Sequence, residues 1–495
     1  MKKKRFVCLA LTFLSALTPQ LSTCFAQGSL TPPGAPAPTM KTLAQIEPRT
    51  PISSAPFTIT SPGSYYLTTN LTVSGGDAIT IATDGVMLDL NGFRITSTAT
   101  VVTGTGIAIN AGMRDLAIRN GFVQGGVTNN GSGLFSGSGF ENGILGNPYN
   151  TRVSGVSVSG CLYEGIYLYG GNGTVVESCT ARTVGDTGIQ ASIVTASEAT
   201  DCGAYAIYGL AVSDCQGQAN GSGTGLYGFR TAQNCYGSSS GSGTGLFSNQ
   251  AQNCQGNSSS GIGLSATQAQ NCQGQSVSGT GLSATTAQNC LGASTSGTGL
   301  NGTFVSNCRG FSASAIGLSG KTAHNSEGWS NGNTGMTVDV ASGCWAHGAG
   351  AVYGLSAKIA TSCYAEGGQG LYAERSAQNC TGLASGSGSG YGIFTSQAEN
   401  CQGNHTGIGT GLSAVTAQNC RGNAINGTAL TATTAQNCYG VTTGSGTGLS
   451  ANLAIGCYGQ STANGTGLNA YIANSCQGVS LSGTPLSFSF KYNMP

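Results

Sequence analysis

Apolar positions return along this chain on a beat of about 18 residues. From Ile166 the apolar member stands at Ile166, Ile189, Ile207, Leu226, Leu246, Leu264, Leu282, Leu300, Leu318, Met336, Leu355, Leu371, Ile393, Leu412, Leu430, Leu449, Leu468 and Leu486, usually after a glycine. A cysteine keeps the same rhythm, from Cys161, Cys179 and Cys202 to Cys457 and Cys476, with Ser326 standing where one is due. A fixed period of this length is the mark of a repeat architecture, in which each unit packs only on its neighbours. The spacing is asymmetric. From the Leu/Ile column to the next cysteine is eight residues in 13 of 17 cases, whereas the return runs from five to thirteen. One side of each coil is therefore fixed in length, and the other takes the insertions.

Within one unit, Gly281 to Gly292, Leu282 and Ala284 share a face by period-two alternation. A short turn is predicted after them, then a second strand from Ala287 to Cys290, before Ser- and Gly-rich residues lead to the next Gly-Leu. No 3.6-residue stripe exists, and glycines and threonines at every turn exclude helix. Strands joined by short returns must run parallel, and parallel connections within one sheet are right-handed in nearly all cases. The left-handed hexapeptide helix needs an aliphatic every six residues, which Leu282, Gln288 and Ser294 do not supply. The fold class is all-β: a single-stranded right-handed parallel β-helix of roughly 20–23 rungs, about 4.8 Å apart. That spacing gives a rod of about 100 Å.

The same alternation appears earlier. Ala78 to Ile81, Val86 to Leu90 and Phe93 to Ile95 read as half-buried strands, and Gly106-Ile107 and Gly143-Ile144 as earlier beats. The helix is thus expected to start near residue 58. Residues 45–160 hold an N-terminal cap and the first coils, and 161–495 the regular repeats. The last segment, Leu486 to Tyr492, reads as a closing strand, with Pro485 and Lys491 blunting its open edge.

Composition changes this picture little. Glycine (82 residues) would suggest disorder without the period, only 7% of residues are charged, and the net charge is +1. Nothing in that balance suggests nucleic acid or an anionic membrane, and no nucleic-acid partner is expected. The N-terminus adds a location. Met1 to Arg5 is basic, Phe6 to Leu17 is apolar, and Cys24-Phe25-Ala26 ends in a small residue, so 1–26 reads as a secretory signal. Residues 27–44 follow as a Pro-rich linker. The apolar run is too short to span a bilayer, and no later one is longer. Leu21-Ser22-Thr23-Cys24 leaves a lipoprotein attached through Cys24 as the competing reading; otherwise the product is secreted, periplasmic or on the outer surface.

Many cysteines in an exported chain normally mean disulfides. One cysteine per coil at a constant phase fits a buried column of thiols better, because side chains stacked in register point the same way. A zinc site is excluded by the lack of Cys-x-x-Cys and the three histidines.

The unit Asn271-Cys272-Gln273-Gly274 … Thr280-Gly281-Leu282 resembles the parallel β-helix repeat of pectate-lyase-like proteins. Pro62 to Leu67 and Leu88 to Phe93 are similar to the first coils of uncharacterised secreted bacterial β-helix proteins. The resemblance spans about residues 45 to 490 and implies the fold. It also implies that the asparagines before the cysteines form a turn-stabilising ladder. Activity does not follow from it, since such folds carry lyases, hydrolases, epimerases and non-catalytic adhesins alike.

A lyase of that class would need calcium-binding acids and a base, and a hydrolase a carboxylate pair. No cofactor is expected otherwise. Twelve of the seventeen acids lie at or before Asp214. Ala346-His347-Gly348 is the nearest echo of the hydrolase motif and lacks its acids, so His347 reads as a non-catalytic loop residue, and His324 and His405 likewise. Asp84, Asp89 and Asp115, near Arg94, Arg114 and Arg119, read as solvent-facing charges. The residue after each core Leu or Ile must point outward. That column gives Tyr167, Gln190, Tyr208, Tyr227 and Phe247, then polar residues, with Tyr372 and Phe394 later. Tyr167, Tyr208, Tyr227 and Phe247 thus form an aromatic stripe, and Glu164, Asp186, Asp201 and Asp214 lie in the same rungs. Aromatic faces and carboxylates suit sugars, though stacked rings also stabilise a bare sheet. The sequence therefore favours a non-catalytic surface β-helix that binds polysaccharide or cell-surface glycans. A carbohydrate-active enzyme with its site between residues 161 and 250 is the alternative. An ice-binding solenoid is a minor one, as only one threonine rank (Thr224, Thr244, Thr280 and their repeats) is apparent.

Overall fold

The computed structural model describes residues 46–169, 173–386 and 388–493, so the segment read as a secretory signal, the stretch read as a Pro-rich linker and Cys24 lie outside the described residues. Within the unit Arg49–Pro495 the chain is a right-handed parallel β-helix, from strand Thr50–Ile52 to strand Thr484–Tyr492. Phe57, Ile79, Ile107 and Ile144 pair in register and lead into Ile166. Added to the eighteen positions read from the sequence, they make twenty-two rungs. The helix starts slightly earlier than residue 58.

One coil shows why these residues take these places. Leu282 to Gln288 is a single strand, with Leu282, Ala284 and Ala287 buried. The turn expected between Ala284 and Ala287 is a bend inside that strand, where Thr285 and Thr286 both face out. The strand therefore contributes to a first sheet at Leu282 and a second at Ala287. Asn289 turns the corner at φ 52°, Cys290 points inward, and Leu291–Ser294 forms a third sheet. Two coils need nine residues from Leu to Cys rather than eight, Leu226 to Cys235 and Leu371 to Cys380. Each absorbs the extra residue as a shift of register in the strand.

The corner asparagines form the ladder that the resemblance implies. The Nδ2 of Asn289 donates to Asn271 Oδ1 at 3.2 Å, that of Asn271 to Asn253 at 3.3 Å, and that of Asn253 to Asn234 at 3.2 Å. Asn234 donates in turn to Asp214 at 3.0 Å, so Asp214 starts the ladder. A second ladder, of buried serines four residues after the cysteine, was not anticipated. Ser276 Oγ donates to Gly261 O of the preceding coil at 2.7 Å and accepts from Gly279 N at 2.9 Å. Ser294 and Ser312 repeat both bonds, and so close the variable loops onto each other.

The cysteine beat needs one correction. Cys161 and Cys202 do not belong to the column of the others. They stand in register with Val184 and Ala219 on the third sheet, in the position that later coils give to serine. The ladder position in the coil of Ile189 is held by Ser197, whose Oγ accepts from Cys179 N at 3.1 Å. Ser197 and Ser326 are thus equivalent, and two beats are serine rather than one. All seventeen cysteines of the helix are buried and stand outside any disulfide among the described residues. Burial pushes the Cys161 thiol up to about 12 and Cys215 likewise to about 12. The thiols are linked through backbone: Cys290 Sγ lies 3.1 Å from Gln288 O and 3.4 Å from Ala269 O, while Cys290 N donates to Cys308 Sγ at 3.3 Å. Serine makes the same bonds, as Ser326 Oγ does to His324 O at 2.8 Å. We therefore expect Cys290→Ser to change stability by no more than about 1 kcal/mol. A thiol reagent should leave these cysteines unmodified in native protein and reach them only in denaturant. Rapid native labelling would contradict this.

One charged group departs from expectation, while Asp84 faces solvent as read. Asp89 is not solvent-facing. It is 6% exposed, held by Arg119 at 3.0 Å and by Asn91 N at 2.9 Å, which satisfies a buried charge on several sides. Asp84 accepts from Arg114 N at 2.8 Å across one coil. No helix among the described residues is long and apolar enough to cross a membrane.

Candidate functional site

The outward column of the first sheet is in register as read: Tyr167 pairs with Gln190, Gln190 with Tyr208, Tyr208 with Tyr227, and Tyr227 with Phe247. Tyr208 and Tyr227 stack at 4.9 Å and 7°, and Tyr227 and Phe247 at 4.8 Å and 16°. Rings this close and parallel cover each other's faces, so the stack offers edges and hydroxyls to solvent. Its faces are open at the two ends, toward Gln190 and toward Ser265. Tyr205 joins edge-on to both Tyr208 and Tyr227. Tyr167 is not part of this stack; Gln190 stands between, and Tyr167 lies parallel to Tyr169 at 5.9 Å.

Glu164 and Asp186 flank the same place, where the first strand of their coils begins. Burial, and then the neighbouring Asp186 carboxylate, lifts the Glu164 carboxyl to about 7, against opposing hydrogen bonds from Thr187. The Oε2 of Glu164 is buried without a partner, so the site holds one acid that keeps its proton to near neutrality beside an acid that repels its charge. The two groups also act on Tyr167, whose hydroxyl is pushed up by burial and by Glu164.

A raised carboxyl binds its proton more tightly in the native state than in the unfolded chain. Its stabilisation is complete below the ordinary value near 4.5 and is lost as pH rises toward 7. Because the side chain is only partly withdrawn from solvent, screening reduces this to about 1–2 kcal/mol. Between pH 4.5 and 7 the wild-type protein should lose that much relative to Glu164→Gln. Equal pH slopes in thermal unfolding of the two proteins would refute it.

Asp201 and Asp214 do not join this group. Asp201 accepts from Asn129 Nδ2 at 2.6 Å, Thr183 Oγ1 at 2.8 Å and Asn220 Nδ2 at 2.5 Å. It thereby fastens the antiparallel hairpin Thr128–Asn129/Phe135–Ser136 to the coils. Asp214 heads the asparagine ladder and borders an open groove of about 900 Å³ along that corner, with Glu198, Tyr236 and Gln255. Sequence proximity placed these acids with the stripe; the corners of the coil separate them.

His347 is not in a loop. It lies on strand Trp345–Thr361 of the third sheet, 4.3 Å from the Trp329 ring. His324 ends strand Leu318–His324, and His405 is buried in the serine position, its Nδ1 accepting from Gly407 N at 2.9 Å. The threonines before the Gly-Leu pairs form a half-buried rank at the start of the first sheet, with no second rank beside it among the described residues. Tyr372 and Phe394 stack at 5.8 Å and 4°, with Tyr353 against Tyr372. The sequence reading missed the outward columns of the third sheet, which carry Trp329, Trp345 and Tyr364. The signal was present: the first and third residues after each cysteine point outward by the same alternation that exposed the tyrosines.

Among the described residues no group of three or more His, Cys, Asp or Glu side chains could hold a metal ion. No protein-family model, no curated protein and no solved structure matches the chain.

Proposed function

We propose that this protein is a non-catalytic β-helix, exported and displayed outside the cytoplasm, that holds glycans against its first sheet over the coils of Ile166 to Leu246. The observation that supports this reading is the outward aromatic group on a flat sheet, Tyr167, Tyr205, Tyr208, Tyr227 and Phe247, with Gln190, Glu164 and Asp186 beside it. Sugar rings find apolar CH contacts at the open ends of the stack, and hydroxyl partners along its rim. Each such contact is weak. A rigid rod displaying several of them gains from their number, as linked sites do.

The Glu164–Asp186 pair favours a second reading, a carbohydrate-active enzyme of the pectate-lyase-like kind. A carboxyl that keeps its proton to near neutrality beside a second carboxyl is the kind of general acid that glycosidases use. One experiment separates the two. Mature protein is applied to a glycan array and incubated with neutral and acidic polysaccharides, with and without calcium, while reducing ends and unsaturated products are followed. The binding reading expects retention without turnover, reduced at least tenfold in the Tyr208→Ala, Tyr227→Ala double variant and unchanged in Asp214→Asn. Product formation that Glu164→Gln abolishes, with binding retained, would make the protein an enzyme.

A further inference from the structure

The third sheet carries a separate aromatic group that includes both tryptophans of the chain. In successive coils one outward column presents Phe311, Trp329, His347 and Glu366, and the column beside it Trp345 and Tyr364. These rings do not lie flush. Trp329 and Trp345 are 5.4 Å apart and tilted by 57°, and Trp345 and Tyr364 are 6.4 Å apart at 20°. The Tyr227–Phe247 stack, at 4.8 Å, hides its faces, and the His347 ring at 4.3 Å likewise covers one side of Trp329; the wider spacing from Trp329 to Trp345 and from Trp345 to Tyr364 leaves ring face toward solvent at those two steps. All three rings are half-buried and thus held in place.

Polar groups sit at the rim of this surface. Trp329 Nε1 donates to Asn331 Oδ1 at 2.9 Å, which fixes the ring. The Tyr364 hydroxyl donates to Glu366 Oε2 at 3.4 Å, and His347 Nδ1 is 4.0 Å from the same oxygen. The Trp345 indole N–H has no partner among the described residues and is free to donate outward. The arginine of the patch, Arg309, is already held by Glu327 at 2.6 Å, so no spare cation awaits an anionic ligand. Glu366 adds an acidic edge that repels one.

We propose that Trp329, Trp345 and Tyr364, with Glu366 at their edge, form a platform for an uncharged glycan chain on the third sheet. The sugar CH faces lie on the rings, one hydroxyl accepts from the Trp345 N–H, and another donates to Glu366. This site is independent of the first-sheet group, and neither requires the other.

Because both tryptophans belong to the platform, tryptophan emission reports on it alone. The full-length mature protein is titrated with hexasaccharides of glucose, mannose, galactose and N-acetylglucosamine, with hexagalacturonate, and with tetramethylammonium. A saturable emission change is expected with at least one neutral hexasaccharide, and none with the other two probes. Trp345→Ala, read through the remaining Trp329, should weaken binding at least tenfold, and Glu366→Gln several-fold with both tryptophans intact. The Tyr208→Ala, Tyr227→Ala variant should titrate as wild type, so a failure of the first-sheet reading leaves this result untouched. No saturable change with any neutral hexasaccharide would overturn the platform. So would a response to hexagalacturonate or tetramethylammonium alone, or full affinity in both third-sheet variants.

Discussion

Replacing Gly281 by valine is expected to destabilise the helix by more than about 3 kcal/mol and to open the coils on either side of it. The glycine is not there for a turn. Its φ is not in the left-handed region, whereas a Cβ at Gly281 would lie 2.3 Å from Ala293 O, 2.4 Å from Ala293 N and 2.6 Å from Gly299 O. Gly263 meets the backbone of Gln275 in the same way. The third strand of the coil that each core leucine begins passes close to the residue before that leucine, and only a hydrogen fits between the two backbones. Ala206 and Ala429 stand in this column naturally, so a coil can shift far enough for one methyl group. Gly281→Ala should therefore cost only about 1–2 kcal/mol, and the branched side chain the larger amount. Gly388, where an added Cβ would meet nothing within 4 Å, is the control, with Gly388→Ala within about 0.5 kcal/mol of wild type. A solenoid need not unfold in one step, so the measurement should be local: hydrogen exchange of the peptides spanning residues 264–300. Protection in Gly281→Val equal to wild type would show that the close approach is not limiting.

That glycine illustrates what the sequence could and could not convey. The period, the parallel fold and the outward tyrosine column were legible because each depends on spacing along the chain, and the fixed side of the coil keeps that spacing. What lies across the coil leaves no such trace. Gly281 and Ala293 are far enough apart in sequence that their contact is invisible in a repeat pattern, so nothing in the Gly-Leu column explained why its first member is glycine. Cys202 kept the beat by count but sits one corner away from Cys215, and Ser197, eight residues after Ile189, was passed over. The buried Ser276 and Ser294 looked like loop residues because hydrophobicity does not mark a hydroxyl that bonds to the coil below. Within the candidate site, alternation placed Tyr208, Tyr227 and Phe247 correctly. It could not say on which face of the coil Asp201 and Asp214 fall, because the left-handed corners at both residues reset the alternation. Glu164 and Asp186 lie before those corners, and there proximity in sequence was proximity in space.

At the corner the second large effect is expected. Asn271 holds φ 53° between Asn253 and Asn289, with φ 53° and 52°. Most L-residues lose about 1–2 kcal/mol in this conformation, asparagine tolerates it, and glycine meets no penalty. Asn271 also accepts from Asn289 and donates to Asn253, two exposed amide bonds worth about 0.5–1 kcal/mol each. The substitutions should then rank by mechanism. Asn271→Gly loses only the bonds, about 1 kcal/mol. Asn271→Ala adds the backbone cost and reaches about 2–3 kcal/mol. Asn271→Val adds a β-branched side chain in the left-handed region, a conformation such residues rarely adopt, and should exceed about 3 kcal/mol. The chain itself supports the ranking, since Gly343 and Gly456 hold equivalent corners at φ 62°. Denaturant unfolding of the three variants checks it. If glycine proves as damaging as valine, the rung-to-rung amide bonds rather than the left-handed corner hold the coil. If all three match wild type, neither does, and the corner is carried by the inward cysteine and the strands beside it.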